Sequence, residues 1–149
     1  MKLLFVCTGN ICRSPTAEGL LKYICKINNY NNIYCDSAAL FDYHIGSAPD
    51  KRAIKVAKKN NVNISNLKAR LINKNDFKIF NLIIGMGKDH VKIMNKLSNN
   101  NNIELFLNFT TNYKNNSVPD PYYGTIKNFE NTFELIEIGI QKIVKKYGY

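Results

Sequence analysis

Short apolar runs and stretches of helical periodicity alternate along the chain. The runs at Lys2–Val6, Asn32–Ser37, Leu82–Met86 and Ile103–Leu107 have the length and composition of buried strands. Elsewhere apolar residues recur every three or four positions, which predicts helices over residues 14–27, 50–60, 73–80, 89–97 and 129–147. Strands that alternate with helices predict an α/β fold, with a four-stranded parallel sheet and helices on both faces. We expect one domain over residues 1–149.

The first strand leads into a tight loop and then into a helix. Gly9 and Asn10 tolerate unusual backbone angles and so suit such a turn. Ser14 and Pro15 predict the start of the helix, with serine as the N-cap and proline at the first helical position. Glu18 is then expected in the first turn, facing the positive end of the helix dipole.

The loop between this strand and this helix has the composition of an anion-binding site. It reads Cys-Thr-Gly-Asn-Ile-Cys-Arg-Ser over residues 7–14, and parallel sheets bind their ligands at the carboxyl ends of strands, where this loop lies. Backbone N–H groups of the turn and of the helix N-terminus can converge on a tetrahedral anion, and Arg13 can bind two of its oxygens. Cys7 would face that anion as a thiolate, a nucleophile positioned to attack phosphorus.

The net charge of +10 is weaker evidence about function than the composition of this loop. Eighteen of the basic residues are lysines and three are arginines. No basic stripe interleaved with aromatic residues occurs, so we expect no nucleic acid partner. No apolar run approaches the roughly 20 residues of a membrane helix, and the apolar start of the chain is too short for a signal peptide.

All four cysteines lie in the first quarter of the chain: Cys7, Cys12, Cys25 and Cys35. Because nothing marks the chain as secreted, we expect reduced thiols in a cytoplasmic protein and not a disulfide framework. Neither the cysteine spacing nor the positions of His44 and His90 match a metal site, so no metal or cofactor is expected.

Two strings resemble the low molecular weight protein tyrosine phosphatases. Residues 6–18, Val-Cys-Thr-Gly-Asn-Ile-Cys-Arg-Ser-Pro-Thr-Ala-Glu, resemble the signature of that family between a strand and a helix, and residues 120–124, Asp-Pro-Tyr-Tyr-Gly, are the second specific match. Weaker matches lie between them, at residues 36–38, 43–46, 50–53, 68–70 and 76–77. The resemblance covers nearly the whole chain and implies a phosphatase that forms a phosphocysteine intermediate.

The resemblance implies a role for individual residues. Cys7 is the nucleophile and Arg13 binds the phosphate. Asp120 is the general acid that protonates the departing phenolate and then the base that activates water. Ser14 would donate a hydrogen bond to the Cys7 thiolate, while Asn10 would hold the shape of the loop. Ser37 would support Asn10, and the phosphate-binding loop is completed by Thr8, Gly9, Ile11 and Cys12.

An aromatic wall around the loop is a further implication. Tyr122 and Tyr123 would flank the substrate ring on one side and Tyr43 on the other, with His44 beside the cleft either as a substrate contact or as a solvated loop residue. A deep cleft favours phosphotyrosine, because the shorter phosphoserine would not reach the sulfur. Cys12 is expected to pair with Cys7 when peroxide oxidises it, although a small buried cysteine is the alternative.

The sequence departs from the family pattern at two places and leaves two other functions open. Leu67 and Gly87 stand where relatives often carry a histidine and an aspartate that support the loop, so we expect a less firmly held loop and a slower enzyme. Bacterial protein-arginine phosphatases also begin this loop with Cys-Thr-Gly-Asn but carry threonine in place of Ile11, so phosphoarginine is the second substrate choice. A non-catalytic phosphate-recognition module is the other alternative, although it would need neither the cysteine nor the aspartate. We expect phosphotyrosine proteins as partners, inorganic phosphate as product, and a monomer.

Overall fold

Four parallel strands form one sheet at the centre of the protein. The computed structural model describes all residues, Met1–Tyr149. The strands are β1 (Lys2–Cys7), β2 (Tyr34–Ala39), β3 (Leu82–Gly85) and β4 (Ile103–Leu105), and their spatial order is β2, β1, β3, β4. The predicted α/β fold with a four-stranded parallel sheet is confirmed.

The helices lie on both faces of the sheet because each strand alternates its side chains between two apolar clusters. On β1, Leu3 and Phe5 point into the larger cluster, whereas Leu4 and Val6 point into the smaller one. The larger cluster is completed by α1 (Arg13–Ile27), α2 (Lys51–Lys59), α5 (Ile126–Tyr147) and a 3-10 helix at Phe106–Phe109. The smaller cluster is covered by α3 (Asp76–Ile79) and α4 (Lys88–Leu97).

The start of α1 differs from the prediction. The helix begins at Arg13 with Cys12 as its N-cap, so Ser14 lies inside the first turn and does not cap it. Its hydroxyl is instead engaged by Asn10 and Cys7 in the preceding loop. The expectation for Glu18 is also wrong, because Glu18 lies beyond the first turn and is only 3% exposed.

Other element boundaries moved by a few residues. The closing helix α5 begins at Ile126, three residues earlier than predicted, because Thr125 and Asn128 form a capping box at its start. Strand β4 ends at Leu105, where the chain tightens into the 3-10 helix. No helix is both long enough and apolar enough to cross a membrane.

The topology places a crevice at the carboxyl end of β1. Strand β1 lies between β2 and β3, so the connection from β1 and the connection from β3 leave the sheet in different directions. Such a switch point is where open α/β sheets bind their ligands. The loop of residues 8–12 follows β1 at this point, and Met86 follows β3 beside it, with its N–H donating to Val6.

Candidate active site

The loop after β1 uses three of its carbonyl groups in hydrogen bonds and leaves its N–H groups without backbone partners. The carbonyls of Thr8 and Ile11 accept hydrogen bonds from the backbone of Phe41 and Asp50, and the Cys12 carbonyl accepts one from the Thr16 hydroxyl. None of the N–H groups of residues 8–12 donates to a backbone carbonyl. Consecutive free N–H groups in a largely buried loop at a helix N-terminus can bind an anion.

The sulfur of Cys7 is connected to a buried hydrogen-bond chain. The Ser14 hydroxyl lies 2.9 Å from the sulfur, and Asn10 donates through Nδ2 to Ser14 at 2.7 Å and to Ser37 at 2.9 Å. Ser37 in turn donates to the carboxylate of Glu18 at 2.5 Å. Because Ser14 accepts from Asn10, its own proton is available to the sulfur. The predicted contacts of Ser14 and Ser37 are therefore present in the structure.

Asn10 holds the bend of the loop. It does so although Leu67 stands at the position where the resemblance led us to expect a supporting histidine. Its φ of 58° lies in the left-handed region, which asparagine tolerates better than most residues. Besides its two donated hydrogen bonds, its side-chain oxygen accepts one from the backbone N–H of Arg70 at 3.1 Å. Three hydrogen bonds thus stabilise a conformation that most side chains would disfavour.

A buried histidine supports the first residue of the loop. His90, in the first turn of α4, accepts the N–H of Gly87 at Nδ1 (2.9 Å), so its proton resides on Nε2. That Nε2–H then donates to the hydroxyl of Thr8 at 2.9 Å. Burial, helped by the positive charge of Arg13, lowers the pKa of His90 to about 4, which keeps the ring neutral at physiological pH.

Arg13 brings a distant segment to the loop. Val118 is placed beside β3 because its N–H donates to the carbonyl of Met86 at 2.9 Å, and its own carbonyl accepts from Nη1 of Arg13 at 3.0 Å. Asp120 follows two residues later, with a carboxylate oxygen 3.6 Å from Nη2 of Arg13. The other carboxylate oxygen of Asp120 accepts the N–H of Tyr122 at 3.1 Å, so this aspartate both closes a turn and faces the loop.

These groups open into one pocket of about 200 Å³. The predicted wall residues are there: the His44 and Tyr122 rings lie 5.9 Å apart, and Tyr123 stands edge-on to Tyr122 at 4.9 Å. Tyr43 stacks in parallel on Phe41 at the mouth. The complete lining is Cys7, Thr8, Gly9, Ile11, Cys12, Arg13, Tyr43, His44, Asp120, Tyr122 and Tyr123.

The whole chain matches one protein family. The family described as "Low molecular weight phosphotyrosine protein phosphatase" matches residues 2–148. The human low molecular weight phosphotyrosine protein phosphatase is 36% identical over 138 residues, which cover 89% of this chain and 86% of the human protein. The chain belongs to the low molecular weight phosphotyrosine protein phosphatase family. It is therefore a hydrolase of the protein-tyrosine-phosphatase type.

Solved members of the phosphatase family share the fold closely. A protein tyrosine phosphatase from Entamoeba histolytica superposes with a TM-score of 0.91 at 34% identity, covering 98% of this chain and 96% of that one. An arginine phosphatase from Drosophila also superposes with a TM-score of 0.91, at 26% identity, covering 98% of this chain and 97% of that one. The fold alone therefore does not separate the two substrate classes.

The sequence did not predict a role at this pocket for three residues that the structure places around it. Glu18 ends the hydrogen-bond chain from Cys7, His90 supports Thr8, and Arg52 contacts the segment that carries Asp120. Arg52 lies in one of the weaker matching strings, which was the only signal for it. His90 gave none, because a single histidine 82 positions from its partner has no recognisable spacing.

Proposed function

We propose that the protein hydrolyses phosphotyrosine and small aryl phosphates through a phosphocysteine intermediate. The observation that carries the proposal is that the Cys7 sulfur, the free N–H groups of its loop, Arg13 and Asp120 meet at one pocket. Phosphoryl transfer to a protein side chain requires groups that bind the phosphate anion, a nucleophile and a proton donor. Phosphotyrosine-containing proteins are the proposed substrates.

In the first step, the Cys7 thiolate attacks phosphorus as the bond from phosphorus to the phenolic oxygen breaks. Arg13 and the loop N–H groups bind the phosphoryl oxygens, where negative charge is concentrated. Protonated Asp120 gives its proton to the departing phenolate. In the second step, ionised Asp120 takes a proton from a water molecule as the water oxygen bonds to phosphorus and the sulfur–phosphorus bond breaks. This releases inorganic phosphate and restores the thiolate.

Turnover of para-nitrophenyl phosphate tests this scheme. We expect activity in the wild type, none with Cys7→Ser, and a loss of at least a hundredfold with Arg13→Lys, which keeps the charge but loses the planar fork. Mass spectrometry of acid-quenched wild-type enzyme should find phosphate on Cys7. Phosphate binding without turnover in the wild type would favour a phosphate-recognition module, and turnover by Cys7→Ser would exclude this mechanism.

Phosphoarginine is the second candidate substrate. The similarity to the Drosophila arginine phosphatase favours it, as does threonine at position 8. Ile11 is apolar and lines the pocket with the aromatic rings of Tyr122 and Tyr123, which supports the flat phenyl ring of phosphotyrosine. Parallel assays with a phosphotyrosine peptide and a phosphoarginine peptide of the same sequence decide between them, and a higher kcat/KM for phosphoarginine would reverse our preference.

We also propose that Cys12 protects Cys7 from irreversible oxidation. Peroxide would convert the Cys7 thiolate to a sulfenic acid, and the Cys12 sulfur would then displace its hydroxyl group, forming a disulfide and water. Both sulfurs are free and line the same pocket. Burial, with the negative charge of Asp50, raises the pKa of Cys12 above its usual range, so Cys12 stays a thiol until it reacts. Dithiothreitol should restore activity to peroxide-treated wild type and not to Cys12→Ser.

Free thiols also support a reducing, cytoplasmic location. All four cysteines are unpaired in the structure, and thiols in this state are typical of proteins kept in a reducing compartment. Fractionation of cells that express the protein, with detection in the cytosolic fraction, tests this placement. Size-exclusion chromatography tests the expected monomer.

A further inference from the structure

Arg52 connects the start of α2 to the backbone of the segment that carries Asp120. Its guanidinium binds the Asp50 carboxylate at both ends, from Nε to Oδ1 at 3.0 Å and from Nη2 to Oδ2 at 2.9 Å. Asp50 is also the N-cap of α2, because its side chain accepts the backbone N–H of Arg52. The other donors of the same guanidinium reach across to the backbone of residues 120–124, the segment that carries the proposed general acid.

The contacts across to that segment are specific. Nη2 donates to the carbonyl of Tyr122 at 2.9 Å, and Nη1 donates to the carbonyl of Gly124 at 3.0 Å. No other hydrogen bond is donated to either carbonyl. The guanidinium also lies 4.4 Å from the centre of the Phe129 ring, on the first turns of α5. Arg52 is thus clamped between a carboxylate, an aromatic ring and two carbonyls.

Asp120 depends on this segment for its position. Its carboxylate accepts the N–H of Tyr122, a residue of the same segment, so the position of Tyr122 determines where the carboxylate points. The contact of Asp120 with Arg13 is longer, at 3.6 Å, and the Asp120 side chain is 45% exposed. An exposed carboxylate on a short turn has several accessible rotamers, so an anchor on that turn restricts them.

We propose that Arg52 is a positioning residue that holds the turn of residues 120–124 so that Asp120 can protonate the leaving oxygen. The inference rests on the proposed function, since it assigns Arg52 to the proton-transfer step of that reaction. A lowered pKa of Asp50, caused first by its hydrogen bonds from Arg52, keeps this anchor charged well into the acidic range. The anchor therefore persists at every pH at which a phosphatase of this kind would be assayed.

Leaving-group dependence distinguishes this role from a merely structural one. Phenolate and the tyrosine phenolate leave poorly without a proton, whereas para-nitrophenolate is a much weaker base and leaves without one. Loss of the proton donor therefore slows phenyl phosphate more than para-nitrophenyl phosphate. Because kcat/KM includes every step up to departure of the phenol, it is the quantity to compare.

The experiment measures kcat/KM for both substrates in wild type, Arg52→Met, Arg52→Lys and Asp120→Asn. We expect Arg52→Met to lower the value for phenyl phosphate at least tenfold more than the value for para-nitrophenyl phosphate. Arg52→Lys, which keeps a charge beside Asp50 but cannot reach both carbonyls, should give an intermediate selective loss, and it replaces Arg52→Met should that variant fail to fold. Lys59→Met removes another cation of α2, one paired with Glu130 at 3.6 Å, and should affect neither substrate.

A double variant makes the dependence on Asp120 explicit. In an Asp120→Asn background, Arg52→Met should have little further effect on phenyl phosphate, because the group that Arg52 positions is already gone. Inhibition by inorganic phosphate should be unchanged by Arg52→Met, since the phosphate loop is intact. Equal losses for both substrates, or full additivity in the double variant, would overturn the inference. A wild type inactive on both substrates would instead overturn the proposed function.

Discussion

The hydroxyl oxygen of Ser14 lies 2.9 Å from the sulfur of Cys7. Ser14 is in the first turn of α1 and Cys7 is the last residue of β1, so the loop between them closes on itself. Asn10 donates to the same hydroxyl and thereby directs its proton toward the sulfur. A hydrogen bond to a thiolate stabilises the charged form, which in the proposed reaction exists before attack and is restored when phosphocysteine breaks down.

Replacing Ser14 with alanine should therefore slow turnover with little change in fold. A hydrogen bond to a charged group contributes roughly 1.5–3 kcal/mol, which corresponds to a fall in kcat of about ten- to a hundredfold. Steady-state kinetics on para-nitrophenyl phosphate measures it. Ser65→Ala, in a surface loop where the hydroxyl bonds only to Asn63, is the matched control and should keep wild-type rates. A Ser14→Ala enzyme within twofold of wild type would contradict the role of this hydrogen bond.

The ion pair behind the loop should respond asymmetrically to substitution. Glu18 is almost fully buried and accepts from Lys22 at 2.6 Å, whereas the Lys22 side chain is 51% exposed. Lys22→Met leaves a buried carboxylate without its cation and should lower the free energy of unfolding by about 2 kcal/mol. Glu18→Gln removes the buried charge itself and still accepts from Ser37, so about 1 kcal/mol or less is expected. Urea denaturation of the two variants measures this order, and the reverse order would refute the argument.

Stability should fall with acidity because of His90. The unfolded chain takes up a proton on this histidine below a pH of about 6.5, whereas burial lowers its pKa in the folded protein to about 4. Between these values the unfolded state binds more protons, so the free energy of unfolding decreases as the pH falls, by about 1.4 kcal/mol per unit. Above about pH 6.5 this contribution no longer changes.

The variant His90→Gln checks this pH dependence. Glutamine can accept from Gly87 and donate to Thr8 without titrating, so urea denaturation at several pH values between 4 and 7 should show a shallower slope than wild type. An unchanged slope in His90→Gln would show that the titration of His90 does not control acid stability.

The two neighbouring tyrosines of the wall should contribute unequally to substrate binding. Tyr122 packs near His44 and is partly buried, whereas Tyr123 is 93% exposed. We expect Tyr122→Ala to raise the KM for aryl phosphates about tenfold, in line with roughly 0.5–1.5 kcal/mol for an aromatic contact beyond its buried area. Tyr123→Ala should raise it less than threefold. Since the Tyr122 carbonyl still accepts from Arg52, the substitution keeps that hydrogen bond and removes the ring together with its contact to the Arg52 guanidinium at 5.9 Å. Equal effects of the two substitutions would show that the exposed ring closes over the substrate.

The strands and the loop after β1 were predictable from local patterns. The apolar run before Cys7 and the short turn of glycine and asparagine after it are local properties of the chain, and so is the helical periodicity beyond Arg13. They predicted a strand, a loop and a helix in that order, and the structure contains them. The N-cap was wrong because Ser14 satisfies a partner in three dimensions, the sulfur of Cys7, in preference to the helix end.

The supporting residues could not be read from such patterns. Arg52 meets Tyr122 across 70 positions and His90 meets Thr8 across 82, because β3 lies beside β1 and the segment at Val118 lies beside β3. Strand order arises from the packing of helices on both faces of the sheet, which no short window of residues encodes. The local sequence thus determines the chemical groups at the loop, whereas the order of the strands in the sheet determines which partners orient those groups.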